Sequence, residues 1–107
     1  MAGAAAAETF SVDLINNVKR SCDITWEDNT TNQNLIDMMK RAKAYIDKKL
    51  GEPADYESAG FPQTLLIEYV RHERDKALDV FENNYTSMIL AMQNDRAVSK
   101  IETVEIT

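Results

Sequence analysis

Between Phe61 and Phe81 the sequence is FPQTLLIEYVRHERDKALDVF, and this stretch decides the fold. Pro62 suits the first turn of a helix, where the N–H that proline lacks has no partner. Apolar residues then recur at steps of three and four, which puts them on one helical face. They are Leu66, Tyr69, Val70, Ala77, Val80 and Phe81. The spacing predicts a single core helix from Phe61 to Phe81.

The opposite face of this predicted helix is charged. Its charged residues are Glu68, Arg71, Glu73, Arg74, Asp75, Lys76 and Asp79. Many of them have an opposite charge three or four residues away, a spacing that stabilises exposed helices. Solvent exposure is the usual arrangement of such a face. Contact with another subunit is the alternative, and the sequence leaves both interpretations open.

Composition indicates a small helical domain. The chain has 107 residues, of which 28% are charged and 7% aromatic, with 3 glycines and 2 prolines. This length is typical of one domain, and the composition favours helices over a sandwich or barrel. We therefore predict an all-α bundle of about four helices, with an extended C-terminal tail that can form a strand on a partner.

Net charge and cysteine content exclude several function classes. The net charge of −6 argues against binding to nucleic-acid phosphates, which requires clusters of Lys and Arg. A single cysteine, Cys22, excludes an intrachain disulfide and a cysteine-based zinc site. We expect Cys22 to be a small buried residue in a reducing compartment. Residues 1–9 lack the features of a signal peptide or membrane span and are predicted to be a flexible tail.

The first two helices are predicted from their caps and apolar spacing. A short helix should run from Ser11, as N-cap, to Asp23, with Phe10, Leu14, Ile15, Val18 and Cys22 on its apolar side. Trp26 is expected to pin the polar connection that follows onto the helices. The second helix should begin with a capping box at Thr30 and Gln33 and end at Gly51, before Pro53. Its outer face is basic, with Lys40, Arg41, Lys43, Lys48 and Lys49.

The remaining segments are an acidic linker, a fourth helix and a tail. In the linker, residues 52–60, Tyr56 is expected to fold back onto the body. A polar break is predicted at residues 82–84, followed by a short helix that starts at Tyr85 and ends between Asn94 and Ala97. The helical domain would then span residues 10–97. Residues 98–107 are rich in β-branched types, so we predict an extended segment that is either mobile or paired with a sheet edge on another molecule.

Motifs for catalysis or cofactor binding are absent from the sequence. His72 is the single histidine, and the chain has no HExxH, CxxC, glycine-rich phosphate loop or calcium loop. No spacing among the acidic residues isolates a catalytic pair. We therefore predict no enzyme activity, no metal and no cofactor. An enzyme of unfamiliar type that uses His72 and nearby carboxylates is the weakest of the alternatives.

The order of three segments resembles a known family. The segments are NNVKRSCDITWED, NLIDMMKRAKAYIDKKLGE and TLLIEYVRHERDKALDVFENNYTSMILAMQ. Their succession resembles the small head-tail connector proteins of long-tailed bacteriophages and prophages, and the likeness covers about Val12 to Asn94. Particular points are Val18 with Lys19, Tyr45 and Ile46 ahead of Gly51, and the FENNYTSMIL stretch. These are packing patterns and not catalytic signatures.

The resemblance implies a structural role in the virion. Such a subunit is made in the cytoplasm of the bacterial host and forms a homo-oligomeric ring, of about twelve copies, beneath the portal protein. The ring extends the DNA channel and provides a docking surface for a stopper or tail-completion protein. An acidic channel would let DNA pass without specific binding, and no membrane is involved. A small helical DNA-binding regulatory module is the alternative function.

Two sets of residues are candidates for assembly contacts. A cyclic ring requires one face of a subunit to meet a different face of its neighbour. For this subunit interface we pair a basic set with an acidic set: Lys40, Arg41, Lys43 and Lys48 against Glu68, Glu73 and Asp79. The C-terminal segment is predicted to dock onto the portal or a neighbouring subunit through Lys100, Ile101, Val104 and Ile106.

Overall fold

The structure is a computed structural model that describes the backbone of residues 10–106 and the side chains of residues 10–98. The predicted tail at residues 1–9 lies outside the described residues. The described backbone contains four α helices and no strand, which confirms the predicted all-α fold. The helices are α1 (Val12–Ser21), α2 (Asn29–Leu50), α3 (Phe61–Arg74) and α4 (Leu78–Ile106).

Helix α3 lies at the centre of the bundle. It packs against each of the other three helices. Its buried face consists of Leu65, Leu66 and Val70, all of which are fully inaccessible to solvent. The other helices close around this face with Leu14 and Val18 from α1, Leu35, Met39, Ala42 and Ile46 from α2, and Phe81, Ile89 and Met92 from α4. The first part of the stretch that decides the fold is therefore a core helix, as predicted.

The predicted continuation of this helix to Phe81 is wrong. Helix α3 ends at Arg74, and Lys76 takes a left-handed conformation with a φ of 58°. The Ala77 N–H donates to the His72 carbonyl at 2.8 Å, and the Lys76 N–H donates to the Glu73 carbonyl at 3.0 Å. This pair of bonds is the Schellman motif, which terminates helices and is usually marked by glycine. Because a lysine occupies the left-handed position, the sequence carried no signal for this end.

The predicted break at residues 82–84 and the predicted end near residue 97 are also corrected. Both positions lie inside α4, which continues to Ile106, so the backbone of residues 98–106 is helical and not extended. From Gln63 onward the sequence contains neither glycine nor proline. Each β-branched or Asn residue costs a helix at most about 0.7 kcal/mol, and adding residues to an existing helix avoids the cost of nucleation. Pairing of this segment with a strand of another molecule stays a prediction.

The helix caps agree with the sequence in two cases of three. The Ser11 hydroxyl accepts a hydrogen bond from the Leu14 N–H at 3.0 Å, as expected of an N-cap. Gly51 ends α2 with a φ of 90°. The N-cap of α2, however, is Asp28 and not Thr30: its carboxylate accepts from the Thr31 N–H at 2.8 Å. Asp28 is a strong N-cap type as well, so the helix starts two residues earlier than the predicted capping box.

Candidate functional site

The charged residues predicted to meet a neighbouring subunit lie on α2, α3 and the start of α4. Two of them, Arg41 and Glu73, pair within the same chain, where the Arg41 Nε donates to the Glu73 Oε2 at 2.9 Å and a second guanidinium nitrogen also donates to it. This ion pair joins α2 to α3. Glu68 accepts from Arg71 Nη1 at 3.0 Å on the surface of α3. One pairing that was predicted between two subunits, Arg41 with Glu73, thus forms inside one chain, and Glu68 has an intrachain partner outside the predicted set.

Lys43 also has an intrachain partner. Its ammonium group donates to the Asp47 Oδ2 at 2.6 Å, while the Tyr56 hydroxyl and the Ala54 N–H donate to the Asp47 Oδ1 at 2.5 and 3.0 Å. Tyr56 is 5% exposed, which confirms that the linker folds back onto the body. Burial and the bond to Asp47 raise the pKa of Tyr56. Asp47 therefore anchors the linker to the last turns of α2.

The hydrogen bonds to Asp47 also set its protonation. Burial by itself raises the pKa of a carboxyl group, because it disfavours the charged form. The hydrogen bonds from Lys43, Tyr56 and Ala54 outweigh burial, so that the pKa of Asp47 is below its ordinary value of 3.8. Asp47 is thus ionised at neutral pH and holds three donors in place.

Three members of the predicted interface remain available for contact outside the chain. Lys40 and Lys48 are exposed on α2, two turns apart, and Asp79 is exposed in the first turn of α4. None of the three forms an ion pair with the side chains that the structure describes. The second predicted set, Lys100, Ile101, Val104 and Ile106, lies where side chains are outside the description. Contact of either set with another molecule stays a prediction.

His72 lies in an aromatic cluster and not in a polar cleft. Its ring contacts those of Phe81 and Tyr85, each with a centroid distance of 5.8 Å, and Tyr45 and Tyr69 extend the cluster. The Nδ1 atom is 2.7 Å from the Glu68 carbonyl oxygen, so Nδ1 carries a proton and donates it to this acceptor. This geometry is typical of a histidine that packs between helices.

Cys22 lies at the junction of α1 and α3. Its side chain is half-buried, and burial raises the pKa of the thiol, which favours the unreactive protonated form. A polar pocket of about 130 Å³ opens beside it, lined by Ser21, Cys22, Asp23, Arg71, Arg74 and Asp75. Arg71 and Arg74 lie beside Asp23 and Asp75 in this pocket, but neither arginine forms an ion pair with these aspartates among the described side chains. The expectation that Cys22 is a small core residue is thus only partly met.

The connection between α1 and α2 forms a groove at one end of the bundle, which we call the end groove. Its volume is about 310 Å³, and its lining residues are Ile24, Trp26, Thr31, Asn34, Leu35, Met38 and Arg74. The prediction that Trp26 pins the connection is met only in part: its Nε1–H donates to Thr31 of α2, but its ring is 49% exposed, and Ile24 is the buried anchor of the connection. Asp28 takes the N-cap position, so the connection turns into α2 close behind Trp26. The single tryptophan in a polar segment was the available sequence signal for this surface.

Among the side chains described, no group of three or more His, Cys, Asp and Glu residues is arranged to hold a metal ion. None of the helices in the described part of the chain has the length and apolar character needed to cross a bilayer. Comparison of the chain with protein families, with curated proteins and with solved structures gave no match.

Proposed function

We propose that this protein is a structural subunit of a bacteriophage head-tail junction, which assembles as a ring beneath the portal protein. The observation that carries the proposal is the ordered succession of three segments between Val12 and Asn94 that resembles head-tail connector proteins. The helical architecture supports it, because each segment contributes to one or more helices around a shared core. Many of the described side chains form the packing, caps and ion pairs that hold the helices together.

The charge of the chain fits a conduit for DNA. A net charge of −6 repels phosphates, so DNA would pass through the ring without binding to it. In this role the subunit lengthens the portal channel and presents its far side to a stopper or tail-completion protein. It would be made in the host cytoplasm and reside in the virion.

The ion pairs narrow the proposed subunit interface. Arg41, Lys43, Glu68 and Glu73 have partners in their own chain. If these four residues made contacts between subunits, their intrachain ion pairs would have to break. Lys40, Lys48 and Asp79 are exposed without an ion pair among the described side chains, so they can pair with a neighbour at no such cost. We therefore assign the electrostatic part of the interface to Lys40 and Lys48 of one subunit against Asp79 of the next.

Electron microscopy and particle mass test this proposal together. The purified chain, alone and mixed with portal-bearing heads, should form rings, and Lys40→Glu combined with Lys48→Glu should weaken assembly at moderate salt. Arg20→Glu is the control, since it reverses an exposed charge on α1, outside the proposed interface. Unchanged ring formation by the double variant would refute the interface. Absence of rings, both alone and on heads, would refute the proposed function.

A DNA-binding module makes the opposite prediction for a gel-shift experiment. Such modules place a basic recognition helix after a tight turn. The tightest connection among the described residues is the turn at 75–77, and the helix after it begins with Asp79 and Glu82, which repel phosphates. The chain should therefore leave duplex DNA unshifted at physiological salt. Specific retardation of one DNA sequence would favour the regulatory alternative.

A further inference from the structure

The end groove combines an exposed tryptophan with walls that are partly apolar and partly polar, and with one charge. Trp26 is 49% exposed, although its Nε1–H already donates to the Thr31 hydroxyl at 3.2 Å. The same hydroxyl donates to the Asp28 carboxylate at 2.9 Å, so the indole is held by the N-cap of α2. A partner that covers the ring would therefore break no hydrogen bond. The entropy cost of fixing the Trp26 side chain on binding would also be small, because the side chain is already held in place. A held, exposed tryptophan is a common centre of binding energy in protein interfaces.

Arg74 supplies the charge of this groove. It is the single charged residue among the lining side chains, and it is exposed at the last turn of α3. Among the described side chains, Arg74 forms no ion pair and no side-chain hydrogen bond, unlike its neighbour Arg71. The groove thus suits a segment that carries apolar side chains together with a carboxylate.

The C-terminal part of α4 has this composition. Helix α4 ends at Ile106, and residues 98–107 have the sequence VSKIETVEIT, which holds two glutamates, Glu102 and Glu105, one lysine and four apolar residues. At its start this segment is apolar on the surface, since Val98 is 51% exposed. Its apolar and acidic residues match the apolar part of the walls and the arginine of the end groove.

A chain cannot place this segment in its own groove. Helix α4 begins directly after the turn that follows Arg74 and then runs away from the groove towards the C-terminal end of α2. At that end Gln93 donates to the Lys49 carbonyl at 2.7 Å, and Arg96 pairs with Glu52 at 3.0 Å. A helix rises 1.5 Å per residue, so Val98 lies about 30 Å from the start of α4. The segment and the groove are therefore at opposite ends of a bundle whose longest dimension is 50 Å.

We propose that the end groove binds the C-terminal part of α4 from a second copy of this chain. Trp26 would cover the apolar side chains, and Arg74 would pair with Glu102 or Glu105. Because the two surfaces differ and lie at opposite ends, the contact is heterologous and builds a ring or a linear chain of subunits. Closure of these contacts into a ring rests on the proposed function. The contact between two copies does not, and it can be tested with the purified protein.

Tryptophan fluorescence reports on this contact directly, because Trp26 is the single tryptophan of the chain. The full chain is measured over a range of concentrations, together with its sedimentation, and a peptide of residues 98–107 is then titrated into it. We expect a blue shift of the emission as the particle mass rises, and a saturable blue shift with the peptide. A scrambled peptide of the same composition should give no shift.

Charge-swap variants then test the pairing. Arg74→Glu should weaken self-association about tenfold or more, since it turns an attraction into a repulsion. Glu102→Arg with Glu105→Arg should do the same, and combining all three changes should restore association. Leu90→Ala is the control, because it removes an exposed apolar side chain from another part of α4.

The outcomes separate this inference from the proposed function. Assembly into larger particles with unchanged Trp26 emission would overturn the groove contact and leave a ring subunit possible through another surface. A peptide that causes no shift, with a chain that stays monomeric at all concentrations, would also overturn the contact. Restored association in the swapped variant would establish it, whether or not portal-bearing heads recruit the protein.

Discussion

Replacing Lys76 by glycine is the sharpest test of how α3 ends. If one helix ran from Phe61 to Phe81, as the apolar spacing predicts, a glycine at this position would lie in a helix interior and destabilise the chain. In the structure Lys76 has a φ of 58° and follows the last turn of α3. Glycine adopts this conformation without the steric cost of a side chain. Lys76→Gly should therefore stabilise the chain if α3 ends at Arg74 and destabilise it if the helix is continuous.

The magnitude follows from two opposing contributions. A non-glycine residue in the left-handed region costs about 1–2 kcal/mol. Glycine relieves that cost but enlarges the conformational freedom of the unfolded chain, which offsets about 0.4–1 kcal/mol. Lys76 is exposed and forms no ion pair among the described side chains, so its loss removes no contact. Lys76→Gly should therefore raise the free energy of unfolding by about 0.5–1 kcal/mol.

Lys40→Gly is the matched control, because the same residue types are exchanged at an exposed position inside α2. The effect on the unfolded chain is the same, yet this variant should lose about 0.7 kcal/mol from helix propensity. Urea unfolding followed by circular dichroism measures both. The two midpoints should move in opposite directions with equal slopes. Equal destabilisation of the two variants would refute the end of α3 at Arg74 and support a continuous helix.

Three further predictions concern the body of the protein. Tyr56→Phe should lower the free energy of unfolding by about 1.5–3 kcal/mol, since it removes a hydrogen bond to an ionised carboxylate. Tyr69→Phe is the control, because the Tyr69 hydroxyl has no hydrogen bond among the described residues, and this variant should leave thermal unfolding nearly unchanged. The pKa of Asp47 is lowered in the folded state, so its hydrogen bonds stabilise the fold fully above pH 3.8, the ordinary pKa of the group. This stabilisation is lost as the pH falls from 3.8 through the lowered pKa. Asp47→Asn should therefore make the free energy of unfolding less dependent on pH below 3.8, as measured by unfolding at a series of acidic pH values. Phe81→Ala should lose about 3–5 kcal/mol of unfolding free energy, because the Phe81 side chain is fully buried. Val80→Ala should lose less than about 0.5 kcal/mol, because Val80 is 43% exposed.

The core could be predicted from the sequence because burial follows helical spacing. Leu66 and Val70 on α3, and Leu14 and Val18 on α1, were expected on apolar faces, and at most 1% of each is exposed. Helix ends were predictable where one residue type marks them, as at Gly51. They were not predictable where the backbone takes a left-handed turn at an ordinary residue, because tertiary packing of α3 and α4 against α2 decides that such a turn is favourable.

The candidate site was less predictable, because a charged pattern does not say where its partner lies. Arg41 and Glu73 are 32 positions apart in the chain, and only the packing of α2 against α3 brings them together. The same packing leaves Lys40 exposed, one residue away. The packing of α2 against α3 therefore decides which charges are available to a neighbouring subunit. Helical periodicity by itself does not predict them.

The turn after α3 relates the two surfaces proposed to join neighbouring subunits. Arg74, on the rim of the end groove, is separated from the first residue of α4 by three residues, which are held by backbone hydrogen bonds to α3. The direction of α4, and with it the position of the segment that would enter the next groove, is thus fixed relative to the groove of the same subunit. A closed ring requires the same rotation at every subunit, which a flexible joint between its two contact surfaces would not provide. Variants that loosen this turn should therefore broaden the distribution of particle sizes before they weaken the individual contact.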